Sequence, residues 1–148
     1  MLIRESGMMI SCPDDDGFNL ENSLAYKKSC SHDVSAVECV IRRKDNWVFF
    51  VEAKTTAPDR ESGDDLLKYV NDIAAKYEHS VAMCYSIIHG VMPNDEGVPI
   101  GAKLKDSLVE NPRIRFLLIV RNISEIDCIP LADKLNKKLK PILKIWGA

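Results

Sequence analysis

Two apolar segments joined by a short polar turn, residues 34–41 and 47–53, constrain the fold of this chain more than any other feature. Both segments are rich in β-branched and aromatic residues, and residues 44–46 between them are polar, so the pattern predicts a β-hairpin. Asn46 tolerates the left-handed backbone conformation that a three-residue hairpin loop requires. We therefore expect a sheet built around this hairpin.

The loop length sets the register of the predicted hairpin. A three-residue loop places Val40 opposite Phe50, and two residues further from the loop Glu38 then faces Glu52. Lys54 lies two residues beyond Glu52 and shares its face. The other face carries only apolar residues: Val37, Cys39, Ile41, Phe49, Val51 and Ala53. A two-residue loop would turn Glu38 toward that apolar face, where an unpaired carboxylate is costly, so the three-residue register is favoured.

Two glutamates that face each other need a physical reason, because like charges on opposite residues destabilise a sheet. A divalent cation between Glu38 and Glu52 would convert this repulsion into coordination, since Mg²⁺ is usually bound by one or two carboxylates with water and phosphate oxygens. Lys54 would orient or help deprotonate an attacking water, or neutralise charge that develops on a phosphoryl group. The pattern therefore predicts a site for Mg²⁺ or Mn²⁺ with Glu38 and Glu52 as ligands.

An acidic residue, a hairpin turn and then Glu52, Ala53 and Lys54 at the end of an apolar strand resemble the PD-(D/E)XK nuclease superfamily. The resemblance implies the restriction-endonuclease-like fold, an αβββαβ core whose mixed sheet is flanked by helices, and cleavage of DNA with Mg²⁺. It places Glu52 and Lys54 at the second acid and the lysine of the motif. Glu38 takes the place of the first acid, which is usually an aspartate in this superfamily.

Two further acidic residues are candidates for the same site. Asp33 competes with Glu38 for the place of the first acid, because it lies just before the predicted strand. Glu21 falls in a segment, residues 18–28, whose pattern is ambiguous between a short helix and an extended chain. The resemblance implies a role for Glu21, since a glutamate on the first helix often joins the site in this superfamily.

The rest of the chain predicts an α/β domain. Residues 2–12 indicate one short strand. An apolar stripe from Leu66 to Ile88 predicts a long helix that begins near Asp64 or Asp65. Residues 102–110 predict a short helix, residues 113–122 a buried strand, and residues 129–146 an amphipathic helix with exposed lysines. A strand, a helix and a strand in this order predict a crossover to a parallel partner, and therefore a mixed sheet.

Composition bounds the remaining choices. With 148 residues and 46% hydrophobic content, the chain is the size of a single domain, residues 1–148, with its own core. Its net charge is −2, so a nucleic acid would have to be bound by a local basic patch. The five cysteines include no C-x-x-C pair and are typical of a reducing cytoplasm. The N-terminus lacks the apolar region of a signal peptide, and no run approaches the roughly 20 apolar residues that span a bilayer.

Two hypotheses for function follow. In the first, the chain is a metal-dependent phosphodiesterase or nuclease, with DNA favoured over RNA as its substrate and Glu38, Glu52 and Lys54 as its catalytic residues. In the second, it keeps the nuclease-like fold without the chemistry and serves as a cytoplasmic binding or assembly module. The acidic net charge favours the second, in which a protein partner or a second copy of the chain supplies the missing basic surface.

Overall fold

The computed structural model describes residues 1–94 and 96–146 and shows a mixed α/β chain. Its strands and helices are, in order, β1 (Leu2–Glu5), β2 (Met8–Ser11), β3 (Gly17–Phe18), α1 (Leu24–Ser29), β4 (Cys39–Arg42), β5 (Trp47–Thr56), α2 (Gly63–Ile88), α3 (Ala102–Val109), β6 (Arg113–Asn122) and α4 (Glu125–Ile145). Single turns of 3₁₀ helix precede β3 and follow α1.

The main sheet has four strands in the order β3-β4-β5-β6. Strand β4 is antiparallel to both β3 and β5, whereas β5 and β6 are parallel. Helices α2 and α3 lie between β5 and β6 in the sequence and provide the long connection that parallel neighbours require. The predicted mixed sheet is therefore confirmed, and a separate two-stranded sheet is formed by β1 and β2.

The register predicted for the central hairpin is confirmed, since Val40 pairs with Phe50. The first strand is shorter than predicted, because β4 begins at Cys39 and not at residue 34. The backbone before it is hydrogen-bonded to α2: the Val37 N–H donates to Ser80 Oγ over 2.9 Å, and the Ser35 N–H donates to an imidazole nitrogen of the same helix over 3.2 Å. Side chains of α2 thus replace the neighbouring strand as partners for this segment.

The main sheet is covered on both faces. The larger core lies between one face and the helices, and it includes Val40, Val48 and Phe50. The smaller core lies between the other face and the β1–β2 hairpin, and it consists of Ile3, Cys12, Cys39, Ile41 and Val51. Val37 was predicted on the second face, but it packs in the larger core because the strand alternation begins only at β4.

The long helices follow the predicted apolar stripes. Helix α2 buries seven of the predicted positions: Leu66, Val70, Ile73, Ala74, Tyr77, Val81 and Cys84. Helix α4 starts four residues earlier than predicted and buries Leu131, Leu135, Leu139 and Ile142. Strand β6 has the predicted bounds, but it is an edge strand on which Ile114 alone is buried, so the prediction of a buried strand was wrong. In residues 1–94 and 96–146, none of the helices is both long and apolar enough for a membrane span.

Candidate functional site

The predicted site residues lie at the end of the main sheet where β4 begins. Glu38 is the residue immediately before β4, and Glu52 lies in β5 just beyond Val51, the last residue of β5 that pairs with β4. Both side chains are buried, with 4% of Glu38 and none of Glu52 exposed. Ionised carboxylates are seldom buried to this extent unless they are paired or bind a cation, so their surroundings determine what this site can do.

Glu52 is bound by two lysines. Lys54 Nζ, from the same strand, and Lys76 Nζ, from helix α2, each lie 2.7 Å from Glu52 Oε1. The second oxygen, Oε2, is buried and has no hydrogen-bond partner among the described residues. A buried acceptor without a partner costs free energy, which is consistent with a ligand at this position in the working protein.

The pKa of Lys54 is raised from its ordinary value. Partial burial lowers the pKa, but the hydrogen bond to Glu52 and the charges of Glu52 and Glu38 outweigh that effect. Lys54 is therefore a cation at neutral pH. It can neutralise negative charge or orient a water, and a role as a neutral base is disfavoured.

Glu38 belongs to a cluster of three carboxylates that lies beside Glu52 and Lys54. Glu5 at the end of β1, Glu21 in the turn before α1, and Glu38 each contribute an oxygen, and these oxygens lie within 4.8 Å of one another. The Ser6 N–H donates to Glu5 Oε1 over 3.0 Å. The Ser6 hydroxyl lies 3.2 Å from both this oxygen and the Ala53 carbonyl, and its single proton serves one of them at a time.

Glu38 is the carboxyl group whose pKa these surroundings raise most clearly. Burial raises its pKa to about 8, and the hydrogen bond with Glu21 and the charges of Glu21 and Glu52 act in the same direction, against a smaller opposing effect of Lys76. In the absence of a cation, Glu38 therefore keeps its proton at neutral pH. Carboxylates this close together coexist either by sharing a proton or by binding a cation, and both are consistent with the arrangement.

The structure brings most of the predicted residues together, but in a different grouping. Glu38, Glu52 and Lys54 occupy one end of the sheet, as the register predicts. Glu38 clusters with Glu21, whereas Glu52 lies outside that cluster and is held by lysines. Asp33 is exposed, has a left-handed backbone with φ 58°, and does not belong to the cluster.

Sequence reasoning missed Glu5 and Lys76. Glu5 reaches the candidate site because residues 2–12 form a hairpin and not the single predicted strand. The sequence signal for this hairpin was the Ser6-Gly7 pair, which is typical of a tight turn. Both turn residues have positive φ, 52° and 69°. Lys76 carried no such signal, because a lysine on an amphipathic helix is usually solvated and only the packing of α2 on β5 directs it to Glu52.

Comparison of the chain with protein families, with curated proteins and with solved structures gave no match.

Proposed function

We propose that this protein is a metal-dependent phosphodiesterase of the restriction-endonuclease-like type that acts on nucleic acid, with DNA favoured over RNA. The observation that carries the proposal is the environment of Glu52. Its carboxylate is fully buried, one oxygen is bound by Lys54 and Lys76, and the other has no partner among the described residues. An acid and a lysine two residues apart on one strand, beside a carboxylate cluster, supply groups that can bind a metal, position water and offset phosphoryl charge in the hydrolysis of a phosphodiester.

The topology supports the same proposal. An antiparallel β4–β5 hairpin, a long helical connection and a parallel β6 follow in the order that the αβββαβ core has after its first strand. The chain departs from that core at the start. Its first sheet strand, β3, precedes α1, so α1 lies between the first two strands of the sheet and not before all three.

The residues present fit a hard divalent cation. Glu38 and Glu52 are the proposed ligands of Mg²⁺ or Mn²⁺, and Glu5 and Glu21 offer further carboxylate oxygens, the ligand type that these ions prefer. When bound, such an ion polarises a phosphoryl oxygen and makes bound water more acidic.

The remaining roles belong to side chains of the protein. Glu38 would release its proton to solvent when it becomes a ligand. Lys54 holds the attacking water and offsets charge on the phosphoryl group. Lys76, which reaches Glu52 from α2, keeps that carboxylate oriented and is a positioning residue.

Replacement of Lys54 tests the role assignment. We expect Lys54→Ala to abolish Mn²⁺-dependent cleavage of fluorescently labelled DNA while Mn²⁺ binding is largely kept, because Lys54 is not one of the proposed ligands. Lys68→Ala, which removes an exposed lysine of α2, is the matched control and should cut at the native rate. Cleavage by Lys54→Ala at the rate of this control would overturn the assignment.

The second hypothesis, a binding or assembly module without catalysis, is favoured by one feature of the same site. Two lysines already pair with Glu52, and Glu38 keeps its proton, so neither buried carboxyl group carries an uncompensated negative charge when no cation is bound. In that case a protein partner or a second copy of the chain would bind at this end of the sheet. Absence of Mn²⁺-dependent cleavage of both DNA and RNA by folded protein would favour this hypothesis.

A further inference from the structure

A cationic and aromatic surface lies at the end of β5 remote from Glu52. In the parallel register of β5 and β6, Trp47 is beside Arg113 and Phe49 is beside Arg115. Strand alternation puts these four side chains on one face of the sheet, opposite to the face of Glu52. We call this set of four residues the Trp47 surface. It belongs to neither the carboxylate cluster nor the lysine pair.

The two arginines converge on one aromatic ring. The guanidinium carbon of Arg115 lies 4.6 Å from the centroid of the Trp47 ring, and that of Arg113 lies 5.5 Å from it. The ring of Phe49 is 6.3 Å from the same ring. Both arginines are exposed, while the two aromatic residues are half-buried. Stacking on the ring fixes the planar guanidinium groups and leaves their N–H donors available to an anion.

Neither arginine forms an ion pair within the described part of the chain. None of the ion pairs found there within 4.0 Å involves Arg113 or Arg115. Two cations that share one ring repel each other, and an anion between them would relieve that repulsion. On a chain with net charge −2, this is the kind of local positive surface that a polyanion requires.

We propose that the Trp47 surface binds single-stranded nucleic acid, with phosphates on the two arginines and bases on the exposed parts of the Trp47 and Phe49 rings. Arginine beside partly exposed aromatic rings is a combination that binds single strands, because their bases are free to stack on side chains. Bases within a duplex are already stacked on each other, so a duplex would use the arginines but not the rings.

The position of this surface predicts a dependence on chain length. Trp47 and Lys54 are seven residues apart on β5, which is about 23 Å at the rise of a strand. Because the Trp47 surface and the carboxylates lie on opposite faces of the sheet, a bound strand that also reaches the carboxylates would have to pass round the sheet and would need more than about seven nucleotides at stacked spacing. The role of the surface in holding substrate rests on the proposed function, whereas binding itself does not require a metal or cleavage.

Binding of fluorescein-labelled oligothymidylate, about twelve nucleotides long, followed by fluorescence anisotropy in EDTA, tests the inference. We expect Arg113→Ala with Arg115→Ala to weaken binding at least about tenfold and to reduce the slope of log K against log salt by about 1.4. The matched control is Lys137→Ala with Lys138→Ala, which removes the same charge from the exposed face of α4 and should bind like the native chain.

Two further variants separate stacking from charge. Trp47→Leu should weaken binding roughly 5- to 150-fold, the range expected for loss of one stacked base, while the salt slope stays unchanged. Replacement of both arginines by lysine should keep the salt slope but only part of the affinity, since lysine lacks the planar group.

Three results would overturn the inference: equal weakening in the arginine pair and the α4 control, unchanged binding by Trp47→Leu, or displacement of the oligonucleotide by polyglutamate as effectively as by unlabelled strand. The last result would indicate an acidic protein as the partner. This experiment is separate from the proposed function, because binding in EDTA requires neither a metal nor cleavage. Native protein that binds the strand but cuts no nucleic acid would leave this inference standing and refute the nuclease proposal alone.

Discussion

Glu38 is buried at the candidate site, with 4% of the residue exposed. Its carboxyl group is hydrogen-bonded with Glu21 and has a pKa raised to about 8, chiefly by burial. The protonated form is the one that suits the folded, metal-free chain. The ionised form is the one that the proposed cation would require, and that form is under electrostatic stress when no cation is bound.

This stress predicts a pH dependence of folding stability in EDTA. Unfolded chains lose the Glu38 proton above the ordinary pKa of 4.5, whereas the folded chain keeps it until about pH 8. The contribution of Glu38 to stability is therefore fully present below 4.5 and is lost as pH rises toward 8, with a slope of up to about 1.4 kcal/mol per pH unit.

Urea unfolding at intervals from about pH 5 to about pH 9 measures this slope. Glu38→Gln removes the titrating group but keeps its shape, so the variant should lose less stability than the native chain across this range. Parallel stability curves for the two proteins would contradict the assigned environment of Glu38.

At the scale of single elements, the sequence pattern predicted the features that short-range interactions determine. The hairpin register came from the loop, whose residues Asp45 and Asn46 adopt the required positive φ of 57° and 59°. The bounds of β6 and the stripes of the long helices also followed from periodicity. The start of β4 did not, because hydrogen bonds from a distant helix replace the strand ladder before Cys39.

The other wrong or missing predictions depend on how the elements pack against one another. The apolar run of β6 predicted burial, but hydrophobicity alone does not distinguish a central strand from an edge strand that is half-covered by helices. In the candidate site, Glu52 and Lys54 were correctly predicted to be neighbours, because their spacing lies within one strand. Glu5 and Lys76 enter from β1 and α2, and no short sequence pattern connects these two elements with β5.

One hydrogen bond between elements makes a contribution to the free energy of unfolding that can be measured. The buried Val37 N–H donates to the buried Ser80 Oγ, which ties the segment before β4 to α2. We expect Ser80→Ala to destabilise the chain by about 1–3 kcal/mol, because it leaves a buried N–H without an acceptor. The same change should weaken Mn²⁺ binding, since Glu38 follows Val37 directly.

Urea unfolding and Mn²⁺ titration of Ser80→Ala and Ser86→Ala check this prediction. Ser86 lies on the same helix, and its hydroxyl has no hydrogen bond among the described residues, so its removal should leave both quantities near native. If the Ser80 variant behaves like the Ser86 variant, this contact does not hold the segment in place.

At the scale of the whole molecule, the fold brings several acidic side chains together in one place and two arginines together in another, although acidic and basic residues are interspersed along the sequence. Acidic groups gather where β4 begins, with Lys54 and Lys76 directed inward to Glu52. Arg113 and Arg115 lie on β6, beside the opposite end of β5, and on the other face of the sheet. A chain with net charge −2 therefore has one carboxylate-rich centre, where we propose a cation, and one cationic surface, where we propose a polyanion.

Isothermal titration of Mn²⁺ into the purified protein tests the central claim, that these buried carboxylates form a divalent cation site. We expect native protein to bind Mn²⁺, Glu38→Gln and Glu52→Gln to lose binding, and Asp33→Asn, which changes the exposed rival acid, to bind like the native chain. Circular dichroism would show that each variant is folded. Absence of binding by folded native protein, even with an oligonucleotide present, or native affinity in Glu52→Gln would contradict the claim.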